Sequence, residues 1–395
     1  MSDYIGLIGA FLCALLALIT VSLVGPRLGL RLLPGRSAPI DGLRGYAAFF
    51  VFLSHATAWF YFVRTGRWAI MPLRAYGNFG SVSVIVFFMI TAFLFTTKLL
   101  DSRRGRMDWL RMLVSRFMRL TPLYLLAMTA LLGVLVAATG FELNEGASSL
   151  LLSMGRWLGF TIAGAPDMNG LHDTWLIIAG VTWSLPYEIF FYLLLPLLGL
   201  LIGAPAPATV VATCTAIAMA VFLTGLQWML AVPFLGGMLA AWLVRVPRLR
   251  SLAQTSAASV GALAVLVGVG VLFWGSFKWV PLALISLAFC AVAAGNSLFG
   301  LLTTRAARLL GEVSYSMYLL HAIVLYSLVH WGIGVQTLAE MSAPAYWSII
   351  LGLTPLLVTL CVITFVLIER PGIESASRIV ASVRRLSTRK KPLPG

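Results

Sequence analysis

Apolar stretches of about 18 to 23 residues follow one another from residue 4 to residue 368, and no other feature of this chain restricts its fold so tightly. A helix rises about 1.5 Å per residue, so each stretch matches the ~30 Å hydrocarbon layer of a bilayer. That layer holds no water to satisfy backbone N–H and C=O groups, and a spanning segment has to bond them internally, as a helix. Only 10% of the residues are charged, against about 25% in an ordinary water-soluble domain. No polar stretch large enough for a soluble domain interrupts the apolar segments. The expected fold class is all-α, a polytopic transmembrane helix bundle.

Spans are expected near 4–24, 43–62, 80–97, 120–139, 186–203, 207–224, 227–244, 255–274, 280–299, 311–330 and 346–368, about eleven in all. The net charge of +15 comes from 28 Lys and Arg against 13 Asp and Glu. It is concentrated in short connections rather than on one continuous face, which marks membrane orientation and excludes a nucleic-acid footprint. Segments 25–44, 98–119, 245–250 and 303–308, with the tail Arg384 to Lys391, carry the basic residues and fall on one side at every second connection. Basic loops stay in the cytoplasm. The parity then places the amino terminus outside and the carboxyl terminus in the cytoplasm. The first apolar segment has its basic residues after it, at Arg27, Arg31 and Arg36, opposite to a secretory signal, so it reads as a span. Residues 140–185 carry Glu142, Glu145, Asp167 and Asp173 and are broken by Gly and Pro; they are assigned to the outer face, partly re-entrant. The loop holding Arg64, Arg67 and Arg74 runs against the charge rule. Cys13, Cys214, Cys290 and Cys361 stand singly in apolar segments, a pattern of small packing residues with no metal site or disulfide framework.

An ionisable residue inside a span costs a few kcal/mol on insertion scales, so each is a candidate for function. Arg44 lies eleven residues before His55. At ~100° and 1.5 Å per residue, the two share a helix face to within roughly 20°, with His55 ~16 Å deeper. Arg116 and Arg119, three apart and therefore neighbours on a helix, stand just before Thr121-Pro122. Paired guanidiniums suit the phosphates of a cytosolic donor, and equally serve as membrane-orienting anchors. Glu188 and Tyr192, four apart after Trp183-Ser184, point together into the bundle, either for function or as a structural pair with another helix. Ser314, Tyr318 and His321 follow i, i+4, i+7 spacing on a further span, so a second histidine reaches mid-membrane depth. A single such histidine is more often a hydrogen-bonded core residue. His172 and His330 fall in or near outer loops and read as solvent-facing.

These motifs together resemble the membrane acyltransferase 3 family, which includes bacterial O-antigen and exopolysaccharide O-acetyltransferases. The resemblance covers residues 39–371: Asp41-Gly42-Leu43-Arg44 with His55; the arginine pair; Trp183, Ser184, Leu185, Glu188, Phe191, Tyr192 and Pro196; Gly311 to His321; and Glu369-Arg370-Pro371. It implies a family-type core of ten helices, with residues 1–38 as an extra amino-terminal transmembrane helix and linker and 372–395 as a basic cytoplasmic tail. Two departures stand out. The family's Gly in the third span is Ala92 here, and many relatives carry a soluble hydrolase-like domain after the last span where this chain ends within about 25 residues. Acylation of the acceptor directly, or completion by a separate periplasmic partner, are both open.

The resemblance implies an O-acyltransferase of the bacterial inner membrane, with no permanently bound cofactor and no metal. It would take acetyl-CoA or another acyl-CoA as co-substrate and a hydroxyl of a glycan or lipid-linked sugar as acceptor. Arg44, Arg116 and Arg119 would bind the donor phosphates. His55 would be the general base, with Glu188 and His321 as further catalytic residues. Trp183, Tyr192, Tyr315 and Tyr318 would contact substrate, the acceptor arriving from outside past Trp183, Glu188 and Tyr192. Direct transfer and an acyl-histidine intermediate are both open. The competing reading is a transporter or flippase for a lipid-linked glycan, though no pair of related halves is visible; a structural scaffold is the third.

Overall fold

Helix boundaries follow local chemistry. Asp108 accepts from the Arg111 N–H at 3.1 Å, Thr255 from Ala258 N–H, Thr304 from Ala307 N–H and Ser342 from Ala345 N–H, each capping the helix it precedes. Pro39, Pro186, Pro247 and Pro344 sit in first turns, where a missing N–H costs nothing. Gly66 and Gly203 end their helices in the left-handed region, at φ 67° and 91°.

The computed structural model describes residues 2–32, 37–68, 73–104 and 107–389. Its helices are α1 (Ser2–Arg27), α2 (Ala38–Thr65), α3 (Arg74–Asp101), α4 (Trp109–Ala138), α5 (Ala147–Leu158), α6 (Leu185–Ile202), α7 (Ala208–Leu223), α8 (Trp228–Leu243) and α9 (Pro247–Ala253). After these come α10 (Ser256–Leu272), α11 (Trp279–Ala293), α12 (Arg305–Glu312), α13 (Ser314–Ser327), α14 (Val335–Glu340), α15 (Ala343–Thr364) and α16 (Arg370–Arg389). There is no β-strand among the described residues. All eleven expected segments lie on helices. Seven helices are long and apolar enough to cross a membrane, or eight if α8 and α9, bent 111° apart, count as one span. α7, α10 and α11 are apolar but shorter, at 16, 17 and 15 residues. The chain is a multi-pass membrane protein built as an all-α bundle.

Polar contacts tie the helices together at both ends. At the basic end Arg245 pairs with Asp101, Arg384 reaches Asp108 at 2.6 Å, and the Trp109 indole donates to the Pro205 carbonyl at 3.0 Å. At the opposite end the Asn78 amide donates to the carbonyls of Val269, Gly270 and Phe273, in the last turn and cap of α10. Two of the arginines that disobey the charge rule do similar work there. Arg64 donates to the Phe60 carbonyl and, at 2.7 and 2.6 Å, to those of Leu338 and Met341 at the end of α14; Arg74 donates to Leu272 O at 2.5 Å. Their charge is held by helix carboxyl-terminal ends. Arg67 is exposed. Arg36, Arg106, Lys390 and Lys391 lie outside the described residues.

Residues 370–389, beyond the last expected span, form a further helix. A wide turn, Phe365–Glu369, continues α15 into α16. Ala376 and Val380, four apart and buried, form one face of α16, and a Cβ on Gly372 would stand 2.9 Å from the Met118 carbonyl of α4. Segment 140–185 is likewise folded. Asn169 bonds Thr139, the Glu142 carbonyl, Glu145 and the Asn144 N–H, and single turns at Thr174–Ile178 and Val181–Ser184 bury Leu176, Ile177 and Val181 in the bundle.

Glycines set the closest helix crossings. A Cβ on Gly42 would collide with the Leu302 carbonyl, one on Gly311 with the Asp41 carbonyl, and one on Gly45 would lie 2.6 Å from Ala307 O. α2 and α12 therefore touch backbone to backbone. Against Ala92 the glycine comes from the partner helix: a Cβ on Gly237 of α8 would strike Met89 O and stand 2.8 Å from the Ala92 Cβ. The close approach survives the departure from the family pattern. Gly42→Ala and Gly311→Ala are each expected to destabilise by about 1–3 kcal/mol, as overpacking does, whereas Gly268→Ala, with nothing within 4 Å, is expected to be neutral or stabilising. Thermal melts in detergent check this; equal behaviour of all three would refute the close crossing.

Candidate active site

A cavity of about 390 Å³ opens at the basic end between α2, α3, α4, α6 and α13. Four cations, Arg44, Lys98, Arg116 and Arg119, line it against two carboxylates, Asp41 and Glu188. The α2 start places Asp41 and Arg44 one turn apart as a 3.6 Å ion pair. Arg116 and Arg119 lie two to three turns into α4. The Arg116 guanidinium sits 5.1 Å over the Phe95 ring, and its buried Nε has no hydrogen-bond partner among the described residues. A net positive, partly desolvated pocket of this kind favours a multiply charged anion.

Glu188 and Tyr192 line this same cavity, the Tyr192 hydroxyl donating to Glu188. They were expected on a separate acceptor path from outside. α6 begins only after the two buried turns, with Leu185 and Tyr187 buried, so its first turns face the arginines rather than the rim. Trp183 is 37% exposed, edged by Phe88, Tyr187 and Phe277, and does not line the cavity. Tyr315 and Tyr318 do line it. The Tyr315 hydroxyl donates to Leu120 O at 3.1 Å; that of Tyr318 donates to Val181 O at 2.8 Å and accepts from Ser184 at 2.7 Å.

The two histidines meet beyond this point. His55 Nδ1 lies 2.8 Å from His321 Nε2, with the rings 14° from coplanar and their centroids 5.1 Å apart, an in-plane N–H···N bond. His321 Nδ1 is 2.7 Å from the Met317 carbonyl, which can only accept, so Nδ1 of His321 carries hydrogen. In the neutral pair, His321 Nε2 then holds a lone pair, His55 Nδ1 donates to it, and His55 Nε2 is left as a lone pair. No described residue bonds that nitrogen. It is free to take a proton, and the arrangement has the triad form of a base oriented by a second group.

The expected stripe from Arg44 to His55 is only half present. Arg44 lines the cavity and His55 faces inward, but neither imidazole belongs to the cavity lining. His321 follows Tyr318 by three residues on α13, about one turn further. His330 is not solvent-facing as expected: its ring stacks on Tyr326 at 3.9 Å and meets Trp59 edge-on, because a wide turn at Leu328–Ile333 folds it back into the bundle. His172 is exposed beside Asp167. Glu369, singled out in the closing motif without a role, is fully buried, accepts from Ser316 and leaves Oε2 without a described partner. Sequence reasoning missed Lys98 as a cavity cation and missed the Trp68 indole beside His55, with the indoles of Trp59 and Trp175 packed on it. Lys98 had a basic-loop signal only, and the indoles come from three separate segments.

A family model described as an acyltransferase domain matches residues 38–368, from the start of α2 through α15, leaving α1 outside. No curated protein and no solved structure matches the chain.

The bonding order has a spectroscopic signature. In ¹⁵N-histidine-labelled protein at neutral pH, His55 is expected as the single tautomer with hydrogen on Nδ1, and His321→Phe should release it to a mixture. A wild-type His55 with hydrogen on Nε2 would contradict the assignment.

Proposed function

Because this chain belongs to the membrane acyltransferase 3 family, we propose that it moves an acyl group, acetyl in the simplest case, from cytosolic acyl-CoA to a hydroxyl of a glycan or lipid-linked sugar. The observation that carries the reading is the free Nε2 of His55, aligned through His321 and the Met317 carbonyl, one turn beyond a four-cation cavity. The positive-inside rule favours the basic end as the cytoplasmic side of the bacterial inner membrane, with the amino terminus outside and the carboxyl terminus inside.

In this mechanism Arg44, Arg116 and Arg119, with Lys98, hold the phosphates. The unpartnered Arg116 Nε suits a phosphate oxygen, and Glu188 with Tyr192 acts as a positioning group for that guanidinium rather than as a proton donor. The thioester arm extends past Tyr315 and Tyr318 towards the imidazoles. His55 Nε2 takes the proton of the acceptor hydroxyl as its oxygen bonds the acyl carbon. The C–S bond breaks, and the proton returns to the leaving thiolate, giving ester and free CoA thiol. His321 accepts the Nδ1–H bond throughout and shares the imidazolium charge, as the buried carboxylate does in a serine-protease triad. Glycan and acyl-CoA approach from opposite sides, and the two meet only at His55.

Mass spectrometry of surface glycans with and without the gene is expected to show one acyl mass gained on a defined sugar. With acyl-CoA and membrane glycan as substrates, His55→Ala should abolish transfer. His321→Phe should lower kcat roughly a hundred- to ten-thousand-fold, the range of a general-base contribution. Arg116→Gln and Arg119→Gln should each raise KM for acyl-CoA by roughly ten- to a hundredfold, the loss of one charged hydrogen bond. Full transfer by His55→Ala would end the base assignment.

A further inference from the structure

The donor cavity stops short of His55 and gives no role to the rings packed around that imidazole. The imidazole meets the indole of Trp68, whose ring lies 27° from parallel at 6.0 Å. Three aromatic rings stand nearly perpendicular to Trp68. Trp59 meets it at 86° and 5.2 Å, Phe62 at 73° and 5.5 Å, and Trp175 at 90° and 5.6 Å. Trp175 is fixed in turn by a 3.0 Å bond from its indole N–H to Asp173. Both Trp68 and Trp175 are half-buried, and neither lines the phosphate cavity.

Three features of this compartment point to a ligand. It sets the Trp68 indole against the ring of His55, the imidazole of the pair that keeps a nitrogen free for a proton. The Trp59 indole N–H is buried and has no hydrogen-bond partner among the described residues, an unmade bond that costs about 1–3 kcal/mol unless something fills it. No described Lys or Arg stacks on Trp59, Trp68 or Trp175, in contrast to the four cations on the donor side. A neutral ring with an apolar C–H face and hydroxyls at its edge fits all three: the face lies on an indole, one hydroxyl takes the Trp59 N–H, and another reaches His55.

We infer that Trp68 and Trp175 form the acceptor's platform, stacking the sugar ring so that its reacting hydroxyl meets His55 Nε2. The inference rests on His55 being the reacting base. The acceptor's phosphate or lipid, if it has one, lies away from this face. Trp68 and Trp175 are then specificity-determining residues rather than part of the proton-transfer machinery.

The test is a KM split on purified full-length chain in liposomes, with acetyl-CoA as donor and a membrane glycan fraction as acceptor. Trp68→Leu is expected to raise the acceptor KM roughly tenfold or more, about the worth of one aromatic stack. Trp68→Phe should recover most of that loss, and the acetyl-CoA KM should stay unchanged in both. Trp175→Leu should act in the same direction and serves as the reading if Trp68→Leu melts early. A raised acetyl-CoA KM, or an unchanged acceptor KM in both leucine variants, overturns the platform. His55→Ala run alongside separates the two layers: retained transfer there removes the base assignment, whereas a dead His55→Ala with neutral tryptophan variants removes only the platform.

Discussion

Within a bilayer every buried donor and acceptor has to find its partner inside the protein, and the rest of this structure depends on that requirement. The hydrogen-bonded histidine pair is its most consequential expression. An imidazole alone in hydrocarbon would leave a donor or acceptor unmade. Here the chain Met317 carbonyl, His321, His55 satisfies three of four ring nitrogens and leaves the fourth, His55 Nε2, without a partner among the described residues. The satisfaction of polar groups thus creates the reactive one. The same requirement explains Asn78 over the end of α10, Arg64 over the end of α14, and Asn169 at the centre of the folded 140–185 segment.

Charge and aromaticity are divided across the bundle. The cations collect in one cavity with Asp41 and Glu188 for partial compensation, while the other approach to His55 is walled by indole and phenyl rings. Tyr318, which lines the cavity and bonds Ser184 and Val181 O, stands one turn before His321 on α13. In the proposed reaction this division lets two substrates of opposite character be held apart. The buried turns at Thr174–Ile178 and Val181–Ser184 make this division, since they supply Trp175 to one side and Ser184 to the other.

Close backbone contact allows the polar pieces to meet. Gly42, Gly45 and Gly311 bring the start of α2 against α12 just before α13 begins, which fixes the relative height of Arg44, Tyr318, His55 and His321. Small residues serve helix association in lipid because backbones can approach and dispersion contact replaces a hydrophobic driving force. Gly236 and Gly237 do the same for α8 against α3, whose Phe95 and Lys98 line the cavity.

The sequence by itself determined the helical class, the eleven apolar segments, the gathering of basic residues in alternate connections, and the position of Arg44, His55, Arg116, Arg119, Glu188 and His321 as ionisable groups in or beside those segments. Those are consequences of local period and of the cost of polarity in lipid, both readable along a single helix. Tertiary structure alone decided that Glu188 and Tyr192 join the arginines, that His55 bonds His321, that His330 packs on Tyr326, and that Trp68 meets the His55 imidazole with Trp175 packed on Trp68. Each of these depends on the rotation and depth of one helix relative to another, set by contacts between residues far apart in the chain. Periodicity tells which face a side chain occupies, but not which neighbour that face will find.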